Sequence, residues 1–216
     1  PMIQALEKAG GTNGAIRALA LEMLARANDV EFLKKLDAAD ADVAYALGVS
    51  GNRQFLPALL EAASKYGKAQ VAALMAIGKL KGLNELLSLS GSWKSFKDEA
   101  REAYARALAM NADEKAIPVF GELANDANWR VRFRAAVGLG ATQSAKAGPY
   151  IMKLLDDKEP AVFRTALYWC TDTFILAPEE YFPKLCERLN LDENEEIAGP
   201  IIHTIVMMWS PGTGQW

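Results

Sequence analysis

Side chains able to do covalent chemistry are few in this sequence. Its single histidine, His203, lies between Ile202 and Thr204 in an apolar run. One histidine excludes metal sites built on histidine pairs and leaves a nucleophile–histidine–acid triad without support. The two cysteines, Cys170 and Cys186, sit inside apolar helical patterns, which reads as buried free thiols in a reducing compartment, the cytoplasm. Carboxylates cluster at Asp156-Asp157, at Glu179-Glu180 and from Asp192 to Glu196. They fall at helix boundaries, where acids complement the helix dipole, rather than as two carboxyls across a cleft. Gly10-Gly11-Thr12-Asn13-Gly14 follows no strand, so it reads as a turn with Thr12 or Asn13 as N-cap, not as a phosphate loop. The expectation is a chain with no catalytic residue, no metal ligand and no cofactor.

Binding residues are easier to find. Trp129, Arg130, Arg132 and Arg134 stand within six positions. Arg130 and Arg134 are one helical turn apart and share a face, whereas Arg132 points elsewhere and is expected to bond to Asp126 or Asp157. Tryptophan with arginine is the composition of interaction hot spots, and also of grooves for single-stranded nucleic acid.

The elements that would carry these residues follow from composition and period. The 216 residues are 51% hydrophobic and 24% charged, with a formal net charge of −3. That is an ordinary globular composition, and it disfavours nucleic acid as a partner. No apolar run approaches the ~20 residues of a membrane span, and the N-terminus lacks the layout of a signal peptide. Pro1 before Met2 reads as a protease-tag scar, leaving room for a removed leader or a larger parent. Charge is uneven along the chain. From Val43 to Lys97 seven cations face only Glu61 and Glu85, while from Asp172 onward eight acids face only Lys184 and Arg188.

A small-residue patch with an apolar member recurs as Ala46-Leu47-Gly48, Ala76-Ile77-Gly78, Ala107-Leu108-Ala109, Gly138-Leu139-Gly140 and Tyr168-Trp169-Cys170. The apolar members Leu47, Ile77, Leu108, Leu139 and Trp169 lie about 30 residues apart, a spacing of helical arrays. Pro57, Pro118, Pro149 and Pro183 each precede an apolar stretch. Proline suits the first helical turn, so these mark the second helix of each pair. The spacing predicts helices over 12–27 and 30–37, 40–48 with 53–65, 67–78 with 81–89, and 95–110 with 113–124. It continues with 128–140 and 143–156, 158–171 and 178–190, and a last helix over 193–208. Gly48, Gly51, Gly78, Gly82, Gly91 and Gly140 are expected as stops between them. The copy at Leu83–Leu89, which has no proline, is the weakest. Strand alternation is absent.

Val131-Arg132 followed by Ala135 and Leu139-Gly140 resembles the first helix of a HEAT repeat, of the short kind found in phycobilin-lyase-type proteins. Ala100-Arg101 with Ala107-Leu108 is similar. The resemblance covers about 40–190. It implies an all-α fold, a right-handed α-solenoid (a HEAT/armadillo-like superhelix) of about five to seven helix pairs in one domain, 1–216. Residues 191–216 would form a capping or interface helix and a tail. Val43 stands where the family has alanine, and Tyr168-Trp169 replace its small residues.

Arg53, Lys81, Lys115 and Lys146 each follow the end of a first helix by three to six residues, so stacking would set them along one rim. The expected function is a scaffold that binds another protein, of acidic character, through its second helices, by way of these four cations and Trp129, Arg130 and Arg134. Self-association through Ile201, Ile205, Met208 and Trp209 is a further expectation, because a terminal repeat needs a polar outer face and this helix is nearly apolar all round. Phycobilin-lyase likeness gives the alternative of a protein that handles a tetrapyrrole in an aromatic pocket near Tyr150, Tyr168, Trp169 and Tyr181. A HEAT-like DNA glycosylase is disfavoured by the acidic chain and dispersed cations.

Overall fold

The computed structural model describes residues 14–65, 67–171, 176–191 and 194–209. Among them all regular structure is helical. The α-helices are α1 (Gly14–Ala27), α2 (Val30–Leu33), α3 (Ala41–Val49), α4 (Leu56–Ser64), α5 (Lys68–Lys79), α6 (Leu83–Ser88) and α7 (Asp98–Ala109). They continue as α8 (Ile117–Leu123), α9 (Trp129–Ala141), α10 (Gly148–Leu154), α11 (Pro160–Thr171), α12 (Pro178–Leu191) and α13 (Glu195–Trp209). Two compact units divide the chain, Pro1–Asn111 and Ala112–Trp216. In the first, α1, α3, α5 and α7 stack in succession, with α4 and α6 packed on α5; in the second, α9, α11 and α13 stack, with α8, α10 and α12 alongside. Each is an all-α stack of helices of the solenoid kind.

Burial explains why the pattern folds this way. Val43, Ala73, Tyr104, Ala135 and Ala166 are all buried, and so are Ala44, Leu74, Ala105, Ala136 and Leu167 one position later. Leu47, Ile77, Leu108 and Leu139 are at most 1% exposed. The same register, carried 31 residues on, lands on Cys170 and not on Trp169. Cys170 is buried, while Trp169 is only half-buried. The small-residue triplet places the repeat one position early in its fifth copy, because the aromatic Trp169 stands next to the position that the Cys170 thiol fills.

Three of the glycines do a different job from the one expected of them. Gly48, Gly78 and Gly140 lie inside helices, where a Cβ would collide with the next first helix in the stack. It would come 2.7 Å from Ala76 Cα at Gly48 and 2.8 Å from Ala107 Cα at Gly78. The left-handed turns after α3, α5, α7 and α9 fall on Gly51, as expected, and on Lys81, Ala112 and Gln143, all with φ of 50–71°. Three of the four then follow one script. Asn52, Asp113 and Ser144 each accept a backbone N–H two residues on, a 3-10 turn follows, and the second helix starts with Pro57, Pro118 or Pro149 in its first turn. The copy at α6 has neither proline nor 3-10 turn, and Gly82 caps it without a side chain.

Pro183 departs from the expectation. It lies within α12, which Pro178 opens. Both Pro183 and Glu179, whose carbonyl loses its donor, are exposed, so water can satisfy that carbonyl. Thr12, Asn13 and the tail from Ser210 lie outside the described residues, as do the side chains of Met208 and Trp209. Ile201 is fully buried, which removes it from the expected self-association face, whereas Ile202, Val206 and Met207 on the same helix are about half exposed. None of the described helices is long and apolar enough to cross a membrane.

Candidate functional site

The second unit carries a cleft of 410 Å³ between α9 and α11. Phe133 and Val137 form one wall, and Ala161, Arg164, Thr165, Tyr168 and Trp169 the other. Helix periodicity creates both walls: 130, 133, 134 and 137 fall on one face of α9, and 161, 164, 165 and 168 on one face of α11. These faces point away from the buried row because Val131, Ala135 and Leu139 take the inner side of α9, and Val162, Ala166 and Cys170 that of α11.

Trp169 sets the depth of the cleft. It occupies the register position held by Ala46, Ala76, Ala107 and Gly138 in the other copies, and an indole fits only because Gly140 has no side chain. A Cβ on Gly140 would come 1.9 Å from the Trp169 ring. The indole meets Tyr168 edge to face at 5.0 Å between ring centres. Tyr168 itself is 52% exposed.

Charge around the cleft is of one sign. α9 carries three arginines and no carboxylate, and α11 one arginine and none. Arg132 is committed to structure, as its register implied. Its guanidinium meets Asp157 through two bonds of 2.6 and 2.8 Å and donates to the Asp126 and Ala127 carbonyls. Burial alone would raise the Asp157 carboxyl, but the Arg132 bonds, the Glu159 N–H and the Arg188 charge hold it below the usual aspartate value. Arg130 stacks on Trp129 at 5.0 Å, and Arg134 lies beside the Phe133 ring at 5.2 Å. Arg130 and Arg164 are exposed and have no ion pair among the described residues.

The four turn cations are all exposed, and two of them are engaged within their own unit. Lys81 donates to the Met110 carbonyl. Lys146 pairs with Glu114 at 3.1 Å and, with the Ser144 hydroxyl, lowers that carboxyl's pKa. Arg53 opens one 3-10 turn and Lys115 is the middle residue of another. Of the four tyrosine and tryptophan positions expected to make an aromatic pocket, Tyr168 and Trp169 do meet. Tyr181 is buried, and the Tyr150 ring packs over Gly121 instead. Second helices expose mainly proline and charged residues, while the exposed aromatics Tyr45 and Tyr168 lie on first helices. The exposed aromatic surface therefore lies on the first helices.

Phe133 and Arg164 were missed by sequence reasoning, although a face count from Arg130 and from Ala161 would have reached both. Cys170 is no candidate nucleophile, since burial pushes its thiol up to about 12. No cluster of three or more histidine, cysteine, aspartate or glutamate side chains able to hold a metal occurs among the described residues.

Residues 93–170, which include α7 to α11, match the family of HEAT repeats. No curated protein matches the chain by sequence. Among solved structures, a chain from the complex of CpcE and CpcF of phycocyanin lyase from Nostoc sp. PCC7120 is similar over 96% of this chain and 94% of that one. Its TM-score is 0.53 at 20% identity, a likeness of fold. Residues 93–170 thus match HEAT repeats, and the chain has an all-α helical-repeat fold similar to that of the Nostoc phycocyanin lyase chain.

Proposed function

We propose that this chain is a non-catalytic protein-binding module of the cytoplasm that captures its partner on the outer face of α9 and α11. The observation that carries this reading is the open cleft itself, where Phe133, Tyr168 and Trp169 stand beside Arg164 with no carboxylate lining it. Exposed aromatics with arginine are the residues that dominate binding energies when a partner buries them. A stacked-helix scaffold holds them at little ordering cost. The similar Nostoc chain comes from a complex of two proteins, which fits a fold used for association. Affinity capture from the source cells tests the reading, with the native chain compared against Tyr168→Ala and against a variant carrying Arg53, Lys81, Lys115 and Lys146 all as glutamate. Loss of the partner with Tyr168→Ala alone supports the first-helix face. Loss with the four-cation variant alone moves the surface to the turns, and capture of nothing by the native chain removes the reading.

A second reading has one observation in its favour. A cleft lined by three aromatic side chains with an arginine at its rim has the character of a site for a flat, apolar, carboxylate-bearing molecule, so a phycobilin-lyase-like handling of a tetrapyrrole is the alternative. Mixing the protein with a bilin and recording visible absorbance decides it: a red-shifted, saturable spectrum lost in Tyr168→Ala favours the tetrapyrrole.

A further inference from the structure

Two properties of the α9–α11 face restrict what can sit on it. Its floor is apolar and small: at 410 Å³ the cleft lies near the lower end of the roughly 300–1,000 Å³ usual for ligand pockets. It has room for one bulky side chain, and it is open enough for that chain's backbone to continue across the surface. Its rim is cationic and uncompensated. Arg164 stands on one wall, and Arg130 precedes Phe133 by one helical turn on the other. This charge is local, because the chain as a whole is acidic, with a formal net charge of −3. A neutral or basic occupant would leave both guanidiniums facing like charge or nothing. A polyanionic strand such as nucleic acid is disfavoured by that net charge.

We infer that the cleft takes an acidic segment of a partner protein that inserts one aromatic side chain between Phe133, Tyr168 and Trp169 and sets its flanking carboxylates on Arg130 and Arg164. This inference rests on the protein-binding reading and specifies the partner's chemistry. The aromatic contributes by burying the exposed Tyr168 face. The carboxylates gain charge-assisted bonds from guanidiniums whose fork geometry matches them. Their contribution fades with salt, since both arginines are exposed.

A fluorescein-labelled peptide with one tryptophan between two runs of three aspartates is the probe, read by fluorescence anisotropy. The controls are the same peptide with alanine for tryptophan, and with lysine for every aspartate. Saturable binding to the native chain is expected, weakened at least about tenfold by either peptide control, by Tyr168→Ala and by Arg164→Glu, each a surface change. Circular dichroism and the urea midpoint confirm that both variants keep the fold. Equal binding of the lysine peptide, or binding indifferent to both protein variants, overturns the inference. So does the absence of binding at millimolar peptide. A native partner captured from cells whose affinity ignores Tyr168→Ala and Arg164→Glu overturns it too, while leaving protein binding intact; capture of no protein instead removes the reading beneath it. Binding of a bilin at the cleft with no peptide binding assigns the cleft to the tetrapyrrole and ends the inference.

Discussion

Gly78 in the first unit and Gly140 in the second hold the same place in their helices, yet they receive different neighbours. Gly78 faces the backbone of Ala107 on α7, where a Cβ would be 2.8 Å from Ala107 Cα and 3.0 Å from its carbonyl oxygen. Gly140 faces the indole of Trp169. One missing side chain lets two helix backbones close on each other, and the other makes room for an aromatic that stays partly outside the stack. The repeat therefore conserves its geometry while changing what it shows to solvent. The first unit uses the seat for cohesion, the second to build a cleft. The outer faces agree: α7 alternates acids with arginines, whereas α9 carries arginines alone.

The comparison breaks most readily at Gly78. Gly78→Val pushes a branched side chain against backbone that cannot move without parting α5 from α7, so it should destabilise by about 3 kcal/mol. A urea titration followed by circular dichroism measures it. A cost within error of zero would mean that the two helices are not held at their closest approach.

Ion pairs separate the units in the same sense. Asp157 has a side chain only 7% exposed and is gripped at both oxygens by Arg132, while Asp40 in the first unit is 39% exposed where it meets Arg17. In both, burial opposes ionisation and the arginine and backbone N–H groups overcome it, so both carboxyls sit below their ordinary value. Asp157→Asn should cost about 2 kcal/mol at neutral pH, the scale of a largely buried charged bond, and Asp40→Asn less than about 1 kcal/mol because solvent screens it. The sign with pH follows from the lowered carboxyl. Stability from Asp157 is present above the unfolded value of about 3.9 and is lost as pH falls through the lower folded value. The native chain should therefore lose stability more steeply than Asp157→Asn below about pH 4, as acid melts would record.

How far these features could be read from sequence depends on the number of signals converging on each residue. Leu47, Ile77, Leu108 and Leu139 are supported by period, apolar type and small neighbours at once, and all are core. Arg132 with Asp157 was legible because an arginine beside the buried Val131 has few places to go. Gly78 and Gly140 were not, since a glycine near a helix end looks the same whether it turns the chain or admits a neighbour. The left-handed residues that do turn it, Lys81, Ala112 and Gln143, are not turn formers by type. The fifth copy falls one position out of register because a large apolar residue outweighs cysteine in any hydrophobic pattern. The cleft was half legible. Arg130, Arg134, Tyr168 and Trp169 drew attention by their chemistry, but pairing α9 with α11 needs the tertiary stack.

Gly140→Ala sharpens the comparison. Here the neighbour is a side chain, which can swing outward, so the cost should be nearer 1 kcal/mol than that of Gly78→Val. Displaced from its seat, the indole becomes more solvated, and tryptophan emission should shift to the red while binding on the cleft weakens. A stability loss equal to that of Gly78→Val, with emission unchanged, would mean that the two seats are alike after all.

The smallest effect belongs to the turns. Gly51 adopts φ of 71° in the first unit at no steric cost, whereas Ala112 is held at 52° in the second, where a Cβ crowds the following carbonyl. Ala112 is exposed, so replacing it loses no packing. Ala112→Gly relieves the strain but enlarges the freedom of the unfolded chain, and the net should be a gain of about 0.5 kcal/mol. Gly51→Ala should lose about 1 kcal/mol by the reverse argument. Opposite signs from the same pair of residue types, read as shifts in thermal midpoint, are what a shared left-handed turn requires. Equal signs would mean that the two turns, and with them the two units, are not built on one repeat.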